Sequence, residues 1–269
     1  MEQTAASHDL CILVVSCDAY ADCWEPFSLC MQKFWPDCPY PVYLATERRT
    51  APEGTVFQKT VHSTHSSWTG RLREFCQQIQ ESHLLLVLED QWVSRPVSSE
   101  TIQKITRTIL SDDSIGIIYL DYAVKSFPRW EGDPSFYVIP AGTPYRLSVG
   151  PSLWNREFLL AICRENVDAW NFERVQSFSP VSYMRTVLVS ATPVYCRVPP
   201  LGAIRRGKWE PSVPTFCSEN HIPLDFSQRK VLGFGDTVKV AVKSLIFNLN
   251  PSLIVKVQNW LYNLQKSRH

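Results

Sequence analysis

The fold is decided by Leu84-Leu85-Leu86-Val87-Leu88-Glu89-Asp90, an aliphatic run that ends in two carboxylates. Five consecutive large apolar residues without polar alternation predict a strand buried on both faces, as in a parallel sheet covered by helices. In open α/β sheets, ligands bind beyond the carboxyl ends of the strands. We therefore expect Glu89 and Asp90 to mark the floor of an active site. An isolated acidic pair more often only solvates a strand end or caps the next segment. Other stretches of the sequence must therefore decide whether Glu89 and Asp90 belong to an active site.

Two further apolar runs also end in an acid. Residues 10–17 are followed by Asp18, and residues 115–120 are followed by Asp121. Both runs are typical of buried strands, and parallel strands place their carboxyl ends at one edge of a sheet. We expect that edge to collect Asp18, Asp90 and Asp121.

The pattern of the amino-terminal region predicts a βαβ unit. Apolar residues at helical spacing over 24–34 predict a helix that Pro36 stops, and residues 40–44 predict the next strand. Farther along the chain, we expect helices at 68–79, at 98–110, at 152–164 and from after Glu173 to about residue 189, and a strand at 194–198.

The composition excludes several classes of protein. The formal net charge of +1 over 269 residues argues against a general nucleic-acid binder. The nine cysteines contain no Cys-x-x-Cys pair, so we expect neither a zinc site nor a thioredoxin-type motif, and we infer a reducing, cytoplasmic compartment. The first residues lack a basic signal-peptide region, and no window approaches the length of a transmembrane helix.

Residues 237–269 differ in composition from the rest. They contain four lysines, Arg268 and many large apolar residues but no acid, and Pro251 divides them. Basic and apolar faces on short helices are typical of segments that lie in a membrane interface. A helical pair docked on the domain remains the alternative. We therefore expect a domain at 1–236 and a basic amphipathic tail at 237–269 that holds the protein on the inner face of the cell membrane.

Eight short stretches carry a family resemblance. They are residues 16–26, 35–44, 68–72, 88–90, 145–148, 152–154, 170–173 and 207–209. In order and spacing they resemble a bacterial family of GT-A-type glycosyltransferases associated with capsule and lipopolysaccharide gene clusters. The resemblance extends to about residue 211. It implies a Rossmann-like α/β domain with a mixed, mostly parallel sheet and helices on both faces. It also implies that a nucleotide sugar binds at the strand ends and passes its sugar to an acceptor hydroxyl.

The resemblance assigns a donor site. The residues expected to bind the nucleotide sugar are Ser16, Asp18, Tyr20, Arg71, Glu89, Asp90, Arg205, Arg206 and Lys208. Arg71 lies at a predicted helix start, where backbone N–H groups and a guanidinium favour phosphate oxygens.

The metal-binding motif of the family is incomplete here. GT-A enzymes commonly hold a metal ion through Asp-x-Asp, whereas this chain has Glu89-Asp90-Gln91. Asp90 alone could hold Mn²⁺ or Mg²⁺ together with the donor phosphates. In a metal-independent mechanism, the basic loop at 205–208 would instead supply the positive charge.

On the acceptor side, residues 170–173 resemble the aromatic-x-aromatic-acid segment of many inverting GT-A enzymes. We expect Glu173 to be the catalytic base, with Asp168 as the second candidate, because aromatic neighbours raise a carboxyl pKa by desolvation. The alternative is that Glu173 only stabilises the start of a helix, where the helix dipole favours a negative charge. The residues expected to shape the acceptor pocket are Tyr145, Arg146, Trp154 and Trp170.

The favoured interpretation is a membrane-peripheral glycosyltransferase that extends a lipid-linked glycan in surface polysaccharide biosynthesis, with inversion at the sugar carbon. The alternative is a catalytically inactive GT-A-like module in a membrane-bound assembly complex, and the missing Asp-x-Asp motif motivates it. A nucleotidyltransferase is disfavoured because residues 16–20 contain no glycine for a phosphate loop.

Overall fold

The computed structural model describes residues 9–121, 126–199 and 202–233. The predicted tail at 237–269 and the domain boundary before it lie outside these residues. The described chain forms two compact units. The first contains the residues up to Ala203 together with Ser212–Asp225, and the second contains Ile204–Pro211 and the residues from Phe226 onward.

An eight-stranded sheet forms the centre of the first unit. Its strands are β1 (Leu10–Val15), β2 (Val42–Thr46), β3 (Phe57–His62), β4 (His83–Leu88), β5 (Ile115–Tyr119), β6 (Phe136–Val138), β7 (Ser152–Asn155) and β8 (Thr186–Ser190). The helices are α1 (Trp24–Phe34), α2 (Trp68–Gln77), α3 (Ser99–Ser111), α4 (Arg156–Ile162), α5 (Ala169–Arg174) and α6 (Val213–Asn220). Short 3₁₀ helices span Asp18–Cys23, Gln176–Phe178 and Pro180–Tyr183.

The strand order is β3-β2-β1-β4-β7-β5-β8-β6. Strands β1 to β4 pair in parallel, as do β5 and β8. Strand β7 is antiparallel to both β4 and β5, and β6 is antiparallel to β8. Strands β1, β4 and β5 therefore run in one direction, and Asp18, Asp90 and Asp121 follow them at the same edge. The predicted mixed, mostly parallel, Rossmann-like sheet is confirmed.

Both faces of the sheet are covered. Cys11 and Leu13 of β1 and Leu84 and Leu86 of β4 pack in one cluster with apolar side chains of α2 and α4. The alternate residues of these strands point to the other face and are also buried. Helices α1 and α3 lie on that side, where Trp35 Nε1 donates to Ser99 Oγ at 2.7 Å. The unbroken aliphatic pattern of β4 results from burial on both faces.

The helix predicted for 152–164 is wrong over its first four residues. Ser152–Asn155 forms β7, which is inserted antiparallel between β4 and β5, and the helix begins only at Arg156. Four residues are too few to show a period, and pairing on both sides of the strand decides their conformation.

The helix predicted from after Glu173 to about residue 189 is also wrong. Helix α5 ends at Arg174, two 3₁₀ turns follow, and residues 186–190 form β8. Pro180 interrupts the helical ladder, and Thr-Val-Leu-Val-Ser is rich in the β-branched residues that favour strands. The strand expected at 194–198 is absent from the described sheet. Within this stretch, Arg197 forms an isolated antiparallel bridge with Val93.

Asn155 fixes the boundary between β7 and α4. Its Oδ1 accepts a hydrogen bond from the backbone N–H of Phe158 at 3.0 Å. We expect Asn155→Ala to lower the free energy of unfolding by about 1–2 kcal/mol in urea denaturation, because a helix N–H loses its cap. Asn155→Ser retains a side-chain oxygen for the cap and should lose less. Equal stability of the alanine variant and the wild type would contradict this role.

Among the helices of the described residues, none combines the length and the apolar character that crossing a bilayer requires.

Candidate functional site

The topology predicts a ligand-binding position between the ends of β1 and β4. These strands are neighbours, but the chain continues from β1 to β2 on one side and from β4 toward β5 on the other. Connections that diverge in this way leave an opening at the carboxyl ends of the strands, where α/β proteins bind ligands. The residues at this opening are 16–18 after β1 and 89–91 after β4.

Asp18 is held by the chain that follows β2. Its Oδ1 accepts hydrogen bonds from Thr46 Oγ1 at 2.8 Å and from the backbone N–H groups of Arg48 and Arg49 at 3.2 and 3.1 Å. Burial opposes ionisation, but these hydrogen bonds prevail and lower the pKa of Asp18. Asp18 therefore joins the ends of β1 and β2 as a carboxylate, and its contact with a donor stays a prediction.

Ser16 and Tyr20 flank Asp18. Ser16 is buried, and its Oγ accepts a hydrogen bond from Trp24 Nε1 at 2.7 Å. Tyr20 is half-buried in the 3₁₀ helix after β1. Trp24 itself is 1% exposed, so it belongs to the core.

Glu47 lies at the same opening, although the sequence patterns did not single it out. One carboxylate oxygen accepts from Arg71 Nη1, and the other accepts from the backbone N–H of Asp18. Arg71 and Glu47 are both partly exposed, with side chains 24% and 25% accessible. Glu47 follows directly after β2, so its position repeats the pattern of a strand ending in an acid. That pattern could have identified it.

The acids that follow β2 and β4 both act on Cys17, at the end of β1. Its pKa is raised to about 11, first by burial and then by the negative charges of Glu89 and Glu47. The thiol therefore remains protonated at neutral pH. The carboxylates after β2 and β4 thus act on the same residue at the end of β1.

Asp90 lies against the loop that ends at Ala203. Its backbone carbonyl accepts from the N–H of Ala203 at 2.7 Å. Gly202 has φ +104°, and a Cβ atom there would lie 2.5 Å from Asp90 Oδ2, so only glycine fits. Over residues 9–121, 126–199 and 202–233, no three His, Cys, Asp or Glu side chains are grouped to hold a metal ion. Binding of a metal ion by Asp90 together with the donor phosphates stays a prediction.

Glu173 reaches the segment that enters β7. Its Oε1 accepts from Ser148 Oγ at 3.0 Å and from the backbone N–H of Val149 at 2.9 Å. Burial raises the pKa of Glu173 above its ordinary value, although the two hydrogen bonds and the charge of Arg197 oppose this rise. A carboxyl group of this kind is suited to accept a proton near neutral pH.

Asp121 and Arg197 form an ion pair beside the same segment. Asp121 has a side chain only 3% exposed, and that of Arg197 is 13% exposed. Both face Gly150, where a Cβ atom would lie 3.5 Å from each of them. Gln91, after β4, donates to the carbonyl of Val149 at 3.0 Å. The ends of β4 and β5 and helix α5 therefore meet at residues 148–150.

Arg197, Ser148 and Gln91 were not predicted as site residues. The only sequence signal for Arg197 was a charge within the otherwise apolar stretch 194–199. Nothing in the sequence indicated that Asp121 would be its partner.

Two residues predicted for the acceptor pocket lie in the core. Arg146 is 4% exposed, and its guanidinium donates to the backbone carbonyls of Ile139, Ser182 and Arg185. Trp154 is completely buried and donates to Ser152 Oγ at 2.8 Å. We therefore leave both residues out of the proposed acceptor site.

The other acceptor-side candidates differ in their exposure. Tyr145 is half-buried with φ 57°, and burial raises its pKa, with Arg174 and Glu173 as the charges that act on it. Asp168 is exposed and caps α5, because its Oδ1 accepts from the N–H of Asn171 at 2.9 Å. Trp170 is 71% exposed.

The predicted basic loop forms a hairpin in the second unit. Its strands are β9 (Ile204–Arg205) and β10 (Lys208–Trp209), and Arg206 and Gly207 turn with φ 52° and 72°. Arg205 Nε contacts Glu210 Oε1 at 2.7 Å, so part of the positive charge is neutralised. The contact of Arg205, Arg206 and Lys208 with donor phosphates stays a prediction.

No protein-family model matches the chain, and none of the curated proteins matches it significantly. Similar solved structures include residues 1–349 of TarS from S. aureus, 13% identical over 69% of this chain and 59% of that one, with a TM-score of 0.42. CMP:2-keto-3-deoxy-manno-octonic acid synthetase in complex with CTP is 11% identical over 70% of this chain and 93% of that one, with a TM-score of 0.41. The bifunctional IspDF from Campylobacter jejuni is 8% identical over 71% of this chain and 52% of that one, with a TM-score of 0.41. This chain thus spans less than two thirds of the TarS and IspDF chains.

Proposed function

We propose that the chain is a transferase that moves a sugar from a nucleotide-sugar donor to an acceptor hydroxyl. One observation carries this proposal. The ends of β1 and β4, where the order of the strands reverses and where Arg71 is paired with Glu47, lie at the same sheet edge as Glu173, a partly buried carboxyl group with a raised pKa. A ligand-binding strand edge that also carries a candidate base is the arrangement that group transfer requires.

The nucleotide would bind at the Glu47–Arg71 pair. Arg71 offers N–H donors, and Glu47 offers a carboxylate acceptor, so the pair presents both hydrogen-bonding roles at the opening. This combination matches the mixed donor and acceptor edge of a nucleobase better than a lone phosphate. The diphosphate and sugar would then extend along the strand ends toward residues 148–150.

The chemical step uses Glu173 as the base. The acceptor hydroxyl oxygen attacks the anomeric carbon of the donor sugar and transfers its proton to the carboxylate of Glu173. The bond from the anomeric carbon to the phosphate oxygen breaks, and the nucleoside diphosphate leaves with the electron pair. Attack from the side opposite to the leaving group inverts the anomeric carbon. We further propose a lipid-linked glycan of surface polysaccharide biosynthesis as the acceptor.

The donor site is tested by Arg71→Met. We expect the variant to bind its nucleotide sugar about 10- to 100-fold more weakly in isothermal titration, because it loses charge-assisted hydrogen bonds. UDP-, GDP-, dTDP- and CMP-sugars identify the preferred donor with the wild-type chain. Arg73→Met is the matched control, since Arg73 lies on the same helix but donates to the carbonyl of Cys163. Equal affinity in Arg71→Met and the wild type would exclude Arg71 from the site.

The catalytically inactive module remains the competing function. It predicts that a nucleotide sugar either does not bind or binds without any turnover, and the same titrations followed by product analysis separate the two.

A further inference from the structure

The two carboxylate oxygens of Glu173 are held differently. Oε1 accepts hydrogen bonds from Ser148 Oγ at 3.0 Å and from the backbone N–H of Val149 at 2.9 Å. Within the described part of the chain, no hydrogen bond reaches Oε2, and the side chain of Glu173 is partly exposed. Oε2 is also not among the unpaired polar atoms that are buried away from solvent. Two donors thus hold one oxygen, and the other is open to an incoming proton.

The hydroxyl of Ser148 is the donor in its contact with Glu173. An ionised carboxylate only accepts hydrogen bonds, whereas a hydroxyl both donates and accepts. The N–H of Gly150 donates to the same hydroxyl oxygen, with a distance of 3.4 Å from nitrogen to Ser148 Oγ. That contact occupies a lone pair of the oxygen, so the single hydroxyl proton is left for Glu173.

The backbone around Ser148 is bonded to the core and to α5. Tyr119 of β5 is fully buried, and its hydroxyl oxygen accepts from the N–H of Ser148 at 2.7 Å. Ser177 Oγ accepts from the N–H of Leu147 at 2.9 Å and donates to the carbonyl of Glu173 at 2.5 Å. The serine and the glutamate are therefore held against each other before any ligand binds, which is the preorganisation that a catalytic group requires.

We propose that Ser148 is a positioning residue for the transfer reaction, so this inference rests on the proposed function. Its hydroxyl and the N–H of Val149 hold Oε1 of Glu173. Oε2 receives the proton that the acceptor hydroxyl releases when its oxygen attacks the donor sugar. Donation by Ser148 also favours the ionised carboxylate, which is the form that can accept a proton. Ser148 acts through Glu173.

The charges around Glu173 remain in place when Ser148 is replaced. Arg197 acts on Glu173 from the chain after β8. Arg174 follows Glu173 in α5, and both act on Tyr145 in the segment before β7. Other charged residues of the elements packed against α5 are bound to other groups: Arg71 to Glu47, Arg73 to the carbonyl of Cys163, Glu74 to Ser63, and Arg146 to the carbonyls of Ile139, Ser182 and Arg185.

The pH dependence of turnover tests the proposal. Ser148→Ala removes the side-chain donor and leaves the N–H of Val149. We expect the acid limb of the profile to move upward by about one pH unit, because the ionised carboxylate loses a charge-assisted hydrogen bond. Below that limb, turnover should fall about tenfold, with the KM for the donor nearly unchanged. Ser148→Thr retains the hydroxyl and should restore the wild-type profile. Ser114→Ala is the matched control, since Ser114 is an exposed serine at the opposite end of β5.

A carboxyl NMR titration makes the test independent of turnover. The chain labelled with ¹³C-glutamate reports the pKa of Glu173 directly, and the signal is identified by its absence from Glu173→Gln. We expect the pKa to lie about one pH unit higher in Ser148→Ala than in the wild type and to return in Ser148→Thr. Circular dichroism checks that the variants are folded, which we expect because the backbone bonds of Ser148 remain.

An unchanged acid limb and an unchanged pKa of Glu173 in Ser148→Ala would overturn the proposal, while wild-type turnover would leave the proposed function standing. Equal loss of turnover in Ser148→Ala and Ser148→Thr without a change in the profile would show a merely structural role and likewise overturn it. If the wild type turns over no nucleotide sugar, the proposed function fails on its own, and the titration still decides whether Ser148 holds the carboxylate.

Discussion

Replacing Glu173 by glutamine is expected to reduce turnover of the nucleotide-sugar donor by about 10²- to 10⁴-fold while the chain remains folded. The glutamine oxygen can still accept the hydrogen bonds that Ser148 Oγ and the N–H of Val149 donate to Oε1. The amide cannot accept a proton from the acceptor hydroxyl. The loss should therefore appear in turnover measured by release of the nucleoside diphosphate, with donor affinity nearly unchanged. Glu157→Gln, at an exposed acid at the start of α4, is the control.

The pH dependence makes this prediction more specific. Because the base must be ionised, wild-type turnover should rise with pH through the raised pKa of Glu173, and Glu173→Gln should lose this rise. The contribution of Glu173 to the free energy of unfolding changes with pH in the opposite direction to turnover. A folded-state pKa above the unfolded value adds stability at acid pH and loses it as pH rises through the folded value. At neutral pH the glutamine variant should therefore be at least as stable as the wild type. Retained turnover with an unchanged pH profile would remove Glu173 from the mechanism.

The second large effect is expected on stability. Arg197→Met should lower the free energy of unfolding by about 3–5 kcal/mol in urea at neutral pH, because it leaves a buried carboxylate without its partner. Burial already raises the pKa of Asp121, and Arg197 is the charge that opposes this rise. In the variant the pKa should rise further, so the stability difference from the wild type should shrink as pH falls and Asp121 becomes protonated.

A double variant separates loss of the pair from loss of packing. Asp121→Asn/Arg197→Met removes both charges and should be less destabilised than Arg197→Met alone. Arg95→Met, at an exposed arginine, controls for the general loss of a positive charge. If Arg197→Met and Arg95→Met destabilise the chain equally, Arg197 does not stabilise the fold by compensating the buried charge of Asp121.

The sequence predicts those parts of the sheet whose pattern has only one explanation. Strands β1, β4 and β5 are apolar on both faces because helices cover both, so their positions in the chain follow from the apolar runs alone. The helix expected in place of β7 is wrong because Ser152–Asn155 has no pattern of its own. The conformation of this segment depends on β4 and β5, which are distant in the sequence but pair with it on both sides.

In the candidate site, too, some residues are identifiable from a local sequence pattern and others depend on contacts between distant segments. Glu89 and Asp90 are identifiable from the sequence because an acid after a buried strand lies at a known edge. The pairing of Asp121 with Arg197 depends on how distant segments pack, which no local signal reports. Arg146 has the chemistry of a binding residue, but the carbonyls around it bind its guanidinium inside the core. Residue type predicts chemistry, and tertiary packing decides which side chains are available for it.

The most direct test of the proposed function is turnover of nucleotide sugars by the purified full chain. UDP-, GDP-, dTDP- and CMP-sugars would be incubated with wild type, Arg71→Met and Glu173→Gln, with and without Mn²⁺, and release of the nucleotide followed by chromatography. The proposal predicts slow hydrolysis of one donor class that Glu173→Gln loses and that Arg71→Met shows only at higher donor concentration. Absence of both turnover and binding for every donor would contradict it and favour the inactive module.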